Sequence, residues 1–151
     1  MSGGRRRTGQ RVGGALLALV LLTGCGGGGG AGAASDAAPS TAPGVGVVTT
    51  AADGVQEITL QTQDDYVFLP AAFTVDPGTV RLTVVNVAEE MTHNLEFDEG
   101  QGPEPIDAGI SLLAPGEEKT IEFTVTEPGV HPFTCTFHTQ LGQVGTMTVR
   151  G

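Results

Sequence analysis

The chain has 151 residues, and its 17 acidic side chains outnumber 7 basic ones, for a formal net charge of −10. An acidic chain lacks the basic surface that nucleic acid requires, which excludes nucleic-acid partners. The length suits one domain, and residues 26–52 are mostly Gly, Ala, Ser, Thr and Pro, which cannot bury a core. The compact part is therefore expected to run from Val55 to Gly151.

Taken in order, residues 1–24 read as a signal peptide. Arg5, Arg6, Arg7 and Arg11 form a positive leader, followed by a short apolar run from Val12 to Leu22. That run is shorter than the ~20 residues a membrane-spanning helix needs. Leu22-Thr23-Gly24-Cys25 then resembles the lipobox of bacterial lipoproteins, which implies that Cys25 is lipidated and becomes the mature N-terminus. Residues 25–54 follow as a tether with an end-to-end distance of roughly 30 Å. The expected location is the cell envelope, anchored by lipid to the outer, periplasmic face of the cytoplasmic membrane. Removal of the leader leaves Arg81, Lys119 and Arg150 as the basic residues opposite all 17 acidic ones. Such a surface suits a redox partner with a basic docking face.

Past the tether the signals are short strands separated by turns. Val55 to Gln63 puts Ile58, Leu60 and Thr62 on one face. Phe73-Thr74-Val75 leads into Asp76-Pro77-Gly78, a turn with Pro before Gly. Val80, Leu82 and Val84 alternate with Arg81, Thr83 and Val85; His93, Leu95 and Phe97 share a face. Asp98 to Asp107 is a polar loop, and Leu113 to Gly116 a further turn. Ile121, Phe123 and Val125 form the next alternation, and His131, Phe133 and Cys135 the one after it. Met147 and Val149 close the series. Seven or so short strands with no helical period predict an all-β fold, an antiparallel β-sandwich. Pro132 falls inside a strand, which predicts an edge or a bulge.

The chemistry concentrates in Cys135-Thr136-Phe137-His138-Thr139-Gln140-Leu141-Gly142-Gln143, with a second imidazole upstream at His93. Two histidines and one cysteine, with a weak axial group such as Met or Gln, make a mononuclear copper electron-transfer site. Zinc uses the same ligand types. Four stretches carry a family resemblance: Thr79 to Asn86, Thr92-His93-Asn94, Leu113 to Glu117, and Pro128 to Cys135 continuing through Gly142. They resemble the cupredoxins of the plastocyanin and azurin type, which implies a Greek-key sandwich over 55–151 and one copper ion cycling between Cu(I) and Cu(II). The resemblance makes His93, Cys135 and His138 the ligands and puts Gln143 where the axial Met stands, as in stellacyanin-like members. Asn94 and Thr136 match the pair that ties the two ligand segments together outside the metal.

The function implied is single-electron transfer on the outer membrane face. The alternative is a protein that binds and delivers copper without redox turnover. An enzyme is not expected: a site this closed leaves little room for substrate, and no Ser-His-Asp pattern or phosphate-cradling loop is present. His131 stands where many relatives have Tyr and reads as a hydrogen-bonded core residue. Met147 reads as core. Met91, in the loop before His93, is the rival to Gln143 for the axial position, and Glu89-Glu90 reads as a solvated pair.

Overall fold

The computed structural model describes residue 41 and residues 43–151. The expected signal peptide, Cys25 and most of the expected tether lie outside the described residues.

Among the described residues, ten strands form two sheets. The strands are β1 (Thr49–Thr50), β2 (Gln56–Thr62), β3 (Phe68–Leu69), β4 (Ala72–Val75), β5 (Gly78–Asn86), β6 (His93–Phe97), β7 (Ile110–Leu113), β8 (Glu118–Val125), β9 (Gly129–Thr134) and β10 (Val144–Val149). One sheet has the order β1-β2-β5-β8, with β3 also on β2; the other runs β4-β10-β9-β6-β7. A single 3-10 turn, Thr139–Leu141, lies between β9 and β10.

The period of two places the core as the sequence predicts. In β5, Val80, Leu82 and Val84 are buried, while the intervening Arg81, Thr83 and Val85 are partly exposed. On the outer face Arg81 bridges neighbouring strands, with its guanidinium 2.6 Å from Glu57 on β2 and 2.9 Å from Glu122 on β8. Inside, the Phe133 ring meets Phe68, Phe73 and Phe97 at centroid distances of 5.2, 6.0 and 5.9 Å. Leu60, Leu82, Leu95, Leu113 and Met147 complete this core.

The described residues are all-β in two sheets, as expected, and three details differ. The sheets are mixed rather than antiparallel, because β2 pairs with β5 and β4 with β10 in parallel. Parallel neighbours need a crossover connection. Here the chain leaves β2, visits the second sheet as β4, and returns through Asp76-Pro77 to β5. Alternation reveals faces, and both directions alternate alike. Secondly, β1 and a bridge from Val45 to Thr59 lie within the stretch assigned to the tether. Their run is too short for a periodic signal, and they attach through backbone pairing and through Val48, which packs against the core. Thirdly, Pro132 is on neither an edge strand nor a bulge: β9 lies between β10 and β6. Pairing of β6 with β9 ends at Phe97, and Pro132 only has to accept a hydrogen bond there, from Asp98 N–H at 2.9 Å. A residue without an N–H fits at that point of an interior strand.

Gly145 shows how tightly β10 sits on this core. A Cβ there would lie 2.3 Å from the Phe133 ring and 2.8 Å from the Ala71 carbonyl oxygen. The ring is hemmed in by three other phenylalanines and cannot retreat. Gly145→Ala should therefore cost about 1–3 kcal/mol, the usual range for overpacking, read from the shift of the urea unfolding midpoint at constant slope.

Candidate metal centre

The site forms where β9 ends and the chain turns back into β10. Cys135 follows the last residue of β9, and its N–H donates to Gln143 O at 3.0 Å. Between them the chain winds one tight turn. His138 N–H donates to Cys135 O at 3.0 Å, Leu141 N–H to His138 O at 2.9 Å, and Gly142 N–H to Thr139 O at 3.0 Å. Thr139 Oγ1 donates to the same Cys135 carbonyl at 2.9 Å. Gly142 has φ 87°, a left-handed conformation that glycine adopts without steric cost. That reversal returns Gln143 to the level of Cys135.

His93 reaches the same place from β6 and is fully buried. Its Nε2 lies 3.0 Å from Gln63 O. A carbonyl only accepts, so Nε2 carries the proton and Nδ1 turns its lone pair inward. There Nδ1 meets Gln143 Oε1 at 2.9 Å, and His138 Nδ1 lies 3.0 Å from the same oxygen. Cys135 Sγ is 3.5 Å from His138 Nδ1 and 4.0 Å from His93 Nδ1. Gln143 is itself oriented, with Nε2 donating to Thr62 Oγ1 at 2.8 Å. Burial holds His93 below the ordinary histidine range, and the nearby His138 acts in the same sense, against the hydrogen-bonding partners Gln143 and Gln63.

The fit to a metal follows from this donor set. His93 Nδ1 and Gln143 Oε1 are both acceptors, so neither satisfies the other. A cation among them satisfies both. The ligand atoms of His93, Cys135 and His138 all lie within 4.8 Å of one another, and these residues form the one such cluster among the described residues. Thiolate and imidazole suit copper or zinc and disfavour calcium or magnesium.

Outside the cluster, Asn94 and Thr136 form a two-way bridge. Asn94 Nδ2 donates to Thr136 Oγ1, and Thr136 N–H donates to Asn94 Oδ1, each at 2.7 Å. The residue after His93 is thereby tied to the residue after Cys135. His138 is half-buried, with the Tyr66 ring edge-on at a centroid distance of 5.0 Å. Phe137 and Leu141 beside it are 50% and 58% exposed, so this imidazole lies in an apolar patch of surface.

His131, Met147 and the Glu89-Glu90 pair stand apart from this donor set. His131 is buried away from the cluster, its Nε2 3.4 Å from Glu127 O. Met147 is fully buried in the core, and Glu89 and Glu90 are exposed. Met91 is held through its backbone, the carbonyl by Asn86 Nδ2 at 2.8 Å and the N–H by Asp64 at 3.0 Å. Sequence reading missed Thr62, Gln63 and Tyr66. Gln63 acts through its carbonyl, which leaves no residue-type signature, whereas Thr62 had only its place at the end of a predicted strand to mark it.

Comparison with known proteins agrees with this geometry. The family model described as "Copper binding proteins, plastocyanin/azurin family" matches residues 55–150. The chain is 38% identical over 120 residues to the chloroplastic plastocyanin minor isoform of Arabidopsis thaliana, covering 71% of this chain and 69% of the relative. It is 40% identical over 101 residues to plastocyanin of Sambucus nigra, covering 62% and 98%. Among solved structures it resembles dithionite-reduced auracyanin from the photosynthetic bacterium Roseiflexus castenholzii, with TM-score 0.56, 27% identity, and 63% and 97% of the two chains covered.

Proposed function

The chain belongs to the plastocyanin/azurin family of copper-binding proteins, and from that premise we propose that it carries single electrons while tethered by lipid to the outer face of the cytoplasmic membrane. The observation that carries this reading is the convergence of His93 Nδ1, His138 Nδ1, Cys135 Sγ and Gln143 Oε1 on one small volume. Copper bound there supplies a one-electron couple between Cu(II) and Cu(I).

The protein's own residues supply the rest. Gln63, Thr62 and the Asn94–Thr136 bridge hold the donor side chains before any metal arrives. Fixed donors keep reorganisation small when charge changes. Burial of His93, Cys135 and Gln143 excludes water, while His138 reaches the surface among Phe137, Leu141 and Tyr66. An electron is therefore expected to pass through the His138 edge to a partner docked on that patch. The acidic mature chain favours a partner with a basic surface, through long-range steering. The donors leave no space for a substrate between them, which fits a carrier rather than an enzyme. Anchoring rests on the lipobox-like Leu22 to Cys25. One acyl chain alone binds a bilayer only marginally, so stable attachment takes more than one.

Loading with Cu(II) should produce an intense thiolate-to-copper absorption in the visible, and Cys135→Ser should abolish it while far-ultraviolet circular dichroism stays unchanged. A colourless copper-loaded wild type would refute the assignment.

Gln143 is proposed as the axial donor. Replacing its hard carbonyl oxygen by a soft thioether in Gln143→Met should favour Cu(I) and raise the reduction potential. A tenfold change in the equilibrium corresponds to ~59 mV for one electron, and voltammetry should find a rise of about that size. An unmoved potential removes Gln143 from the site, and a larger effect from Met91→Leu would transfer the role to Met91.

Cells grown with a fatty-acid analogue should yield labelled protein, and Cys25→Ser should lose the label. Wild type recovered unlabelled and wholly soluble outside the cell would refute the anchor.

A further inference from the structure

We propose that Asp64 is the positioning residue for the His93 imidazole. Its carboxylate accepts three successive backbone N–H groups from the loop between β5 and β6: Glu89 at 2.7 Å, Glu90 at 3.3 Å and Met91 at 3.0 Å. The other side of that loop is fixed by Asn86. Its Nδ2 donates to Met91 O at 2.8 Å and Leu113 O at 3.0 Å, and its Oδ1 accepts Ala88 N–H at 2.9 Å. Asp64 is bonded in the chain to Gln63, whose carbonyl takes the His93 Nε2–H at 3.0 Å. The contacts close a ring. Residue 63 holds the protonated edge of the imidazole, and residue 64 holds the backbone that leads to it.

This ring works beside a longer route, in which Thr62 O accepts the Val87 N–H at 2.9 Å and Asn86, paired with Thr62, reaches Met91 O. Gln63 lies just past β2, and His93 is the first residue of β6. Those two strands are not neighbours in either sheet. The Asp64 brace is the short link that keeps the Gln63 carbonyl opposite His93 Nε2 and Nδ1 aimed at the donor cluster. The Glu89 N–H, foremost among its backbone donors, holds the Asp64 carboxyl below the ordinary carboxylate range, so the acceptor stays charged at neutral pH.

The experiment compares Asp64→Asn, Asp64→Glu and Glu89→Gln in the full chain, both metal-free and loaded with Cu(II). Glu89→Gln removes one negative charge from the loop that faces Asp64 and leaves its backbone donor in place. In metal-free Asp64→Asn, the amides of Glu89 and Met91 should exchange about tenfold faster or more, the scale of a lost charge-assisted hydrogen bond. The nitrogen-15 signal of protonated His93 Nε2 should broaden or vanish. Loaded with Cu(II), the same variant should show an altered thiolate-to-copper band and a moved potential. Glu89→Gln should resemble wild type in all of these, and Asp64→Glu should recover part of the His93 signal. Faster amide exchange with an unchanged His93 signal would overturn the proposal, leaving Asp64 a loop clamp only. Equal potentials in Asp64→Asn and Glu89→Gln would also overturn it, since charge alone would then explain the shift. The copper readouts rest on the proposed function, whereas the metal-free readouts do not. An unprotected His93 in metal-free Asp64→Asn supports the brace even if wild type binds no copper.

Discussion

Two acceptors facing each other at 2.9 Å, His93 Nδ1 and Gln143 Oε1, are the constraint that the rest of this end of the sandwich serves. Left alone, such a pair repels, and the chain would relax by rotating either side chain. Each is prevented by a hydrogen bond on its far side, from His93 Nε2 to the Gln63 carbonyl and from Gln143 Nε2 to Thr62 Oγ1. Both far-side partners come from consecutive residues at the end of β2. The first sheet thereby holds open a site whose donor side chains all come from the second sheet and its 135–143 loop. Without a cation, Gln143 Oε1 has the His138 Nδ1 edge at 3.0 Å and His93 Nδ1 has only the distant Cys135 sulfur at 4.0 Å, whereas a cation satisfies both acceptors at once. The folded domain is in this sense arranged for metal.

The asymmetry of burial gives the site a direction. Cys135, His93 and Gln143 are wrapped on all sides, and only His138 shares its surface with water. Low dielectric around the thiolate strengthens its interaction with a cation, while the exposed imidazole edge provides the short route outward. The apolar Phe137 and Leu141 flank that edge. In the proposed function, that apolar edge is where a partner would seat.

Much of this was legible in the residues. Alternation in Val80 to Val85 and in His131 to Cys135 identified strands and their buried faces, because burial on one side of a pleat leaves a period of two. Spacing within Cys135 to Gln143 was readable because one tight turn suffices to bring both ends together. Strand direction was not readable: β2 and β5 alternate whether parallel or antiparallel, and only the route through β4 decides. Two-residue strands such as β1 and β3 are shorter than any periodic signal. The Gln63 carbonyl and the Asp64 brace escaped for a different reason. Backbone groups are the same in every residue, so their use by a site appears only once the fold has placed them.

Pro132 has a consequence for the ligand spacing. Along β6 and β9 the partners Glu96 with Thr134, Phe97 with Phe133 and Asp98 with Pro132 all keep one register. Extended by two residues, that register sets Asn94 opposite Thr136, where the two-way bridge forms. Position 132 lies opposite Asp98 and has no proton to return to the Asp98 carbonyl, so the ladder stops there. The imino acid is an end-stop: the paired stretch runs from it in one direction only, toward the bridge beside His93 and Cys135.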